Sequence, residues 1–490
     1  MNDIGLARRS PVRLEPRPDR VVTRLFVAGQ ELVGGGEGRA SDVVARILAL
    51  DEASVVEQLD ELLARFAGRH RDLVGSFRHH AHRIENRLGA DDQLSDARWL
   101  LLGASFTHEY SIEAAALCNP SIVAHPDQSG VPAGSLRFVM TVRGIGEGHR
   151  SSIGFRTGTV AAEGTVVIDA PGCFAEAGNP EPEPLDRLVL HAGLEELGID
   201  GESAAWVLGG LDARFTIDQL DGRLRLLETQ SDTRDNAFSV AAHVRAIASC
   251  SYRTTFSDES TLAERVLTPA MPAEANGLED ARLVRFTEDD GTVTHYATYT
   301  AFDGHRVSQQ LLQTDDFAEF TSMPLVGPAA ADKGMALFPR RIAGRAVALS
   351  RHDRQTNALA FSDTLARWEE PTTIQVPRRG WEVVQLGNCG PPIETDAGWL
   401  VLTHGVGPMR TYTIGAILLD LDDPTKVLGE LPLPLLAPTP DERDGYVPNV
   451  VYSCGSLVHG DLLVVPFGIS DTAIGFATAE VADVLDAMVG

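Results

Sequence analysis

The sequence predicts an all-β fold, a five-bladed β-propeller carrying an N-terminal helical region and a small helical insertion. Three observations lead there: a plan that recurs, the hairpin turns inside it, and the spacing of its copies. Residues 283–317, 335–368, 390–424 and 450–479 each run through an apolar strand, a Gly- or Asp-bearing turn, a second apolar strand, a polar loop and a third strand, and 119–160 has the same outline. Ile342-Ala343-Gly344-Arg345-Ala346-Val347, Asp396-Ala397-Gly398-Trp399-Leu400-Val401 and Val458-His459-Gly460-Asp461-Leu462-Leu463 show the turn flanked by strands that marks a hairpin. Five such units, spaced at several tens of residues, point to blades, because a lone four-stranded sheet cannot bury both of its faces.

Two parts lie outside the repeat. In 41–88, Val55, Val56, Leu59, Leu62, Leu63 and Phe66 recur at helical spacing with acidic residues between them, so this stretch reads as helix. Its apolar face is too wide to stay in water and is expected to pack on the propeller or on a second copy, as a homo-oligomer. A Pro- and Arg-rich extended leader precedes it. The glycine run Gly34 to Gly36 lacks the Lys-Ser/Thr ending of a phosphate loop and reads as a hinge. The second part, about 171–224, combines a Pro/Glu-rich linker with a helical stretch near Leu188 and reads as an insertion. The domains expected are therefore 1–95 and 96–490.

Composition narrows the partners. A formal charge of -27, from 42 Lys+Arg against 69 Asp+Glu, argues against nucleic acid or an anionic membrane as the main partner. Cys118, Cys173, Cys250, Cys389 and Cys454 are odd in number, far apart and without a CxxC, as expected of buried thiols in a reducing compartment. With no apolar leader core and no membrane-length stretch, the cytoplasm is the expected location.

The chemistry centres on Gly277-Leu278-Glu279-Asp280-Ala281-Arg282, where two carboxylates and an arginine lie between a Pro- and Ala-rich loop and an apolar strand. A loop feeding a strand with an acid in place is where an enzyme puts a proton donor. Other constellations carry less. His79, His80 and His82 have no acidic or Cys partner at ligand spacing, so no metal is expected. There is no nucleophile elbow, and Gly144-Ile145-Gly146-Glu147-Gly148-His149 follows a strand but opens no helix, so no dinucleotide cofactor is expected either.

From about Asn119 onward the chain resembles glycoside hydrolase family 130. The residues that carry the likeness are Gly390-Pro391-Pro392-Ile393 with Gly398-Trp399-Leu400, Thr403-His404-Gly405-Val406, Tyr412-Thr413-Ile414-Gly415, Val447-Pro448-Asn449-Val450 with Cys454-Gly455, and Gly468-Ile469-Ser470-Asp471-Thr472. The resemblance implies a five-bladed propeller that cleaves β-mannosides with inversion, by phosphorolysis or hydrolysis. It implies that Asp280 is the proton donor, acting through a mannose hydroxyl, within a Glu/Tyr-Asp-Pro-Arg motif whose proline is here Ala281. Asn119, Arg143, Arg282, His404 and Asp471 match sugar-binding positions, and planar side chains that both donate and accept suit adjacent hydroxyls. Without the likeness, Asn119 would cap a turn, Arg143 would pair with Glu147 and Asp471 would close a hairpin.

The nucleophile decides the reaction. Phosphate arrives anionic and needs only cations to hold it, whereas inverting hydrolysis needs a second carboxylate roughly 6.5–9.5 Å from the acid. By the resemblance, Lys333, before Met335-Ala336-Leu337-Phe338-Pro339, is a phosphate ligand, with Arg351 and Arg306 as further cations. The family's histidine is replaced by Ser350 in Leu349-Ser350-Arg351-His352, leaving His352 to compensate. Phosphorolysis that releases mannose 1-phosphate is slightly favoured, with a mannose-containing oligosaccharide and inorganic phosphate as the partners. The alternatives are an inverting β-mannosidase with Glu228, Glu279 or Glu394 as base, a β-mannosyltransferase, and a glycan-binding propeller without turnover.

Overall fold

Strands joined by turns and loops dominate 116–182 and 252–480, in a computed structural model that describes residues 3–27, 37–88, 94–232 and 234–490. The Gly34 to Gly36 run lies outside the described residues. The protein is strand-rich with helices and divides into two units, one of Met1–Pro16, Ala115–Pro171 and Gly178–Gly490, the other of Arg17–Ala114 and Gly172–Ala177.

In the larger unit the recurring plan is realised as antiparallel sheets. Ala116–Ala124, Ser135–Ile145, Ser151–Ala161 and Val166–Ile168 form the first, joined by a parallel bridge, Gly277 to Ser151, to Gly277–Thr287, Val293–Phe302, Val307–Thr314 and Glu319–Pro324. Ala336–Leu337, Ala346–Ser350, Asn357–Ser362 and Thr372–Gln375 form another, and Gln385–Asn388, Gly398–Gly407, Thr411–Leu419 and Val427–Glu430 the next. The expected turn at Ala343-Gly344 has φ of 50° and 78°, the left-handed pair that a two-residue hairpin requires.

The strand Gly398–Gly407 shows why these sheets need neighbours. It is buried throughout, and its alternate residues enter different cores: Leu400 and Leu402 join Leu463, Val465 and Ala477, while Trp399 and Val401 join Phe338, Val347 and Leu359. A period of two with both faces apolar is the signature of a sheet covered on each side.

The last sheet, Val451–Tyr452, Leu462–Ile469 and Ala473–Glu480, takes its outer strand from the other end of the chain. Arg8–Leu14 pairs antiparallel with Ala473–Glu480, from Arg8 opposite Thr478 to Leu14 opposite Ile474. Pro11 falls within this strand, in the register shift between Arg9 and Arg13, as suits a residue that cannot donate to a ladder. The leader is therefore a strand of the larger unit, held also by Arg9 donating to Glu442 Oε1 at 2.8 Å and to the Ala437 carbonyl at 2.7 Å.

The insertion is larger than the expected 171–224. Its helices are Arg187–Glu196, Glu202–Gly209, Ile217–Thr229 and Ala237–Ala248. The last of them, beyond residue 224, supplies Val240, Ala241 and Val244 to a core with Leu190, Leu220 and Leu224, so the first three cannot close without it.

In the smaller unit the stretch read as helical holds three helices, Glu37–Leu48, Glu52–Phe66 and Leu73–Arg83, followed by Asp96–Ser105. Asp51 and Asp72 break it, each accepting a hydrogen bond from the amide three residues on, Ser54 at 2.9 Å and Gly75 at 2.7 Å. The boundary falls after Ala114 and not at 95, because Leu101, Leu102 and Phe106 pack with Val44 and Val55. The face of Val55 and Leu59 is thus covered inside its own unit, by Leu73, Phe77 and Leu100 among others, which corrects the expectation that it needs the propeller or a second copy. His80 is buried there on Thr107 Oγ1 at 2.7 Å. Cys173 departs from the expected burial and is exposed, whereas the other four cysteines are buried. Among the described residues no helix is long and apolar enough to cross a membrane.

Candidate active site

Two bulges build the centre of the site. In Ala116–Ala124 the register passes from Cys118 opposite Arg143 to Ser121 opposite Thr141, leaving Asn119 and Pro120 against one residue. In Gly277–Thr287 it passes from Glu279 opposite Thr300 to Arg282 opposite Thr298, leaving Asp280 and Ala281 against one. A bulge re-aims the side chain it carries. Asn119 and Asp280 both have left-handed φ, 49° and 57°, and the two bulged strands are tied together by Ser121 Oγ accepting from the Leu283 amide at 2.9 Å and Thr141 Oγ1 donating to the Ala281 carbonyl at 3.2 Å.

Asp280 is thereby surrounded. Its Oδ1 accepts from Asn119 Nδ2 at 2.6 Å and from Arg143 at 3.3 Å, while Arg282 donates to its carbonyl at 3.0 Å. Burial alone would lift its carboxyl. Arg143, then Arg282 and Lys333, with the Asn119 bond, outweigh burial and hold it down at about 2. The Arg143 guanidinium stays firmly charged, because Glu279 and Asp280 outweigh its own desolvation. The alternative pairing of Arg143 with Glu147 is not what forms: Arg143 donates to Glu279 Oε1 at 2.6 Å.

Asp471 is in the left-handed region too, φ 48°, and lies in the field of Arg143, Asp280 and Glu279. Burial pushes its carboxyl up to about 6, against the pull of Arg143. His404 is fully buried on the inner part of Gly398–Gly407, its Nδ1 at 3.1 Å from the Asn388 carbonyl and its ring stacked on Tyr412. Desolvation, then Arg351, keeps it neutral, with its pKa well below the usual histidine value.

Of the predicted cations, Lys333 and Arg351 lie at Gly334, together with Arg282. A Cβ there would lie 3.2 Å from Arg351 Cδ and 3.8 Å from an Arg282 nitrogen, so both arginines flank the turn that Lys333 begins. Gly387 is hemmed in as well, since a Cβ would run into Arg351 and His404 Cε1. Lys333 is part-exposed, with Nζ 3.7 Å from Glu279 Oε2. Ser350 is buried and donates to the Ala329 carbonyl at 2.7 Å, so its hydroxyl is committed to the fold. Arg143 Nε, Arg282 Nε, Arg351 Nε, His352 Nδ1 and His404 Nε2 are buried and unpaired. Arg306 is exposed on the Asp303–Arg306 turn, its amide on Asp303 Oδ1 at 2.6 Å, next to the strand end where Phe302 pairs with Gly277. Among the described residues no group of three or more His, Cys, Asp or Glu could hold a metal.

Sequence reasoning missed Tyr452 and Asn388. Tyr452 accepts from Arg282 at 2.8 Å, and Asn388 Nδ2 donates to the Gly334 carbonyl at 2.7 Å, fixing the Lys333 turn. Asn388 had a signal, a polar residue between Leu386-Gly387 and Cys389 in an otherwise apolar run. Of the hydrolase's candidate bases, Glu228 pairs with Arg245 at 2.6 Å on Ile217–Thr229, and Glu394 pairs with Arg340 at 2.6 Å.

Comparison with known proteins agrees with these motifs. The model of glycoside hydrolase family 130, described as β-1,4-mannooligosaccharide phosphorylase, matches residues 255–489. A 1,2-β-oligomannan phosphorylase of Thermoanaerobacter sp. (strain X514) is 37% identical over 223 residues, 43% of this chain and 71% of the relative. A β-1,2-mannobiose phosphorylase of the same organism is 35% identical over 221 residues, 44% of this chain and 70% of the relative. Among solved structures, β-1,2-mannobiose phosphorylase from Listeria innocua, in complex with β-1,2-mannobiose, aligns with a TM-score of 0.46 and 20% identity over 77% of this chain and 93% of that one. On the family match and the extent of the two relatives covered, the chain belongs to glycoside hydrolase family 130.

Proposed function

We propose that the protein is an inverting β-mannoside phosphorylase: phosphate attacks the anomeric carbon of a terminal mannose, the glycosidic C–O bond breaks, and a proton from Asp280 ends on the departing oxygen, giving mannose 1-phosphate and a shortened acceptor. The observation that carries this reading is the set of unpaired buried guanidinium nitrogens on Arg143, Arg282 and Arg351, together with the part-exposed Lys333. Unpaired guanidinium N–H groups are costly to bury and are suited to an oxyanion held in line with the reacting carbon. In this reading Asn119, Arg143 and Asp471 hold the sugar, and Lys333, Arg351 and His352 hold phosphate. The β-1,2 activities of the two Thermoanaerobacter relatives make a β-1,2-linked mannoside the first substrate to try.

The reading includes a five-bladed propeller, its blades the successive sheets and the last one closed by Arg8–Leu14, and a cytoplasmic location, where a charged sugar phosphate is retained. One observation favours a second reading, inverting hydrolysis: Asp471, with its pKa near 6, is suited to act as a base. Incubation with β-1,2-mannobiose with and without phosphate separates the two. Phosphate-dependent mannose 1-phosphate supports phosphorolysis, and free mannose at an equal rate without phosphate supports the hydrolase.

A further inference from the structure

Glu279 lies inside the cluster with a cation on each oxygen. Its Oε1 accepts from Arg143 at 2.6 Å and its Oε2 faces Lys333 Nζ at 3.7 Å, and its side chain is 11% exposed. Arg143 also reaches Asp280, at 3.3 Å, so the two adjacent carboxylates share one guanidinium. Lys333 is a proposed phosphate ligand, which means that Glu279 occupies a charge the incoming anion needs.

We propose that Glu279 is a positioning residue that stands in for the anion in the empty site, holding Arg143 and Lys333 until phosphate displaces it from Lys333, and so sets anion affinity against the ability of Asp280 to carry its proton. The inference rests on the phosphorolytic reading above. Two opposed effects follow from the geometry. Removing this negative charge strengthens the attraction of the cluster for a dianion. It also leaves Arg143 to Asp280 alone, and removes a like-charged neighbour, so the acid is held more firmly as carboxylate. The other groups facing Asp280 act in fixed directions: Arg282 and Lys333 favour the ion, as does Asn119 from the neighbouring strand, while Asp471 is a like charge, and Cys118, Tyr452 and Cys454 stay neutral, their pKa values raised by burial. An arriving dianion offsets the cations, and Asp280 can then take up a proton.

The test uses wild type, Glu279→Gln and Glu279→Asp, with inorganic phosphate binding measured by calorimetry and mannose 1-phosphate release measured against phosphate and pH. In Glu279→Gln the phosphate Kd and KM should fall roughly tenfold while kcat also falls, and the alkaline limb of kcat should move to lower pH. Damage of a merely structural kind weakens phosphate binding or leaves it unchanged, and either result in Glu279→Gln overturns the inference while the wild type remains a phosphorylase. Glu279→Asp, which keeps the charge, should return Kd and kcat to within about threefold of wild type; failure of that rescue overturns it too, even if Glu279→Gln does not fold. A wild type that binds no phosphate, or releases mannose without it, sinks the phosphorolytic reading and this inference with it.

Discussion

Asn119 donates its side-chain amide to Asp280 at 2.6 Å, from one bulged strand to another 161 residues away in sequence. Both residues have backbone angles that side-chain-bearing residues rarely adopt, and such angles persist only where the surroundings enforce them. The contact fixes one carboxylate oxygen and leaves the other for the substrate. It also identifies the residue whose loss should matter most.

Asp280→Asn should lower the rate on an unactivated mannobiose by roughly two to four orders of magnitude, with the melting temperature little changed. Initial rates at saturating phosphate check it. A variant with near wild-type turnover would remove Asp280 as proton donor.

Lys333→Ala should raise the KM for phosphate by roughly ten- to a hundredfold, the worth of a charge-assisted hydrogen bond, with a smaller effect on the KM for mannoside. Lys333 is part-exposed and among the described residues its ion pair is with Glu279 alone, so the melting temperature should hold.

Asp471→Asn should make the protein more stable at pH 7.5 and less active. Burial raises the folded pKa of Asp471 to about 6, so its stabilising contribution is fully present below the unfolded value, near pH 4, and is lost as pH rises through 6. The amide variant has no such loss. Thermal melts at pH 4 and pH 7.5 should show the variant gaining on wild type only at the higher pH, by up to about 3 kcal/mol.

Removal of residues 1–14 takes away an edge strand together with Val12 and Leu14, which pack on the core of Val464, Ile474 and Phe476. The uncovered edge of Ala473–Glu480 should then drive association, seen as aggregation in size-exclusion chromatography with light scattering. A truncated protein with unchanged subunit number and melting temperature would show that the pairing contributes little.

The grouping of Glu279, Asp280 and Arg282 was legible in the sequence because the motif is local, six residues from Gly277 to Arg282. The partners of that motif were less so. Tyr452 meets Arg282 across 170 positions, and no local pattern encodes such a meeting. Pro120, in the middle of an apolar strand, was a signal passed over, since proline cannot continue a ladder and the bulge falls there. The hairpins were readable from their Gly and Asp turns, whereas Arg8–Leu14, with three arginines and a proline, has none of the alternation of a strand and is one only because the last sheet offers it an edge. The helical region read over 41–88 holds, but its division was not legible, because the Asp51 and Asp72 caps end helices where apolar periodicity does not.

The pairing of Arg8–Leu14 with Ala473–Glu480 also sets a timetable. A ribosome that has made Leu14 must add 460 further residues to reach its partner Ile474, which at about 5–20 residues per second takes roughly 25–90 seconds. Through that interval the arginine-rich strand has no ladder to join, and Asn119 waits for Asp280 as well. The earlier sheets can form as they emerge, but the last depends on a segment made long before it. In a folding chain of this design Arg8–Leu14 is the strand that waits longest for its partner, and there a chaperone would have most to protect.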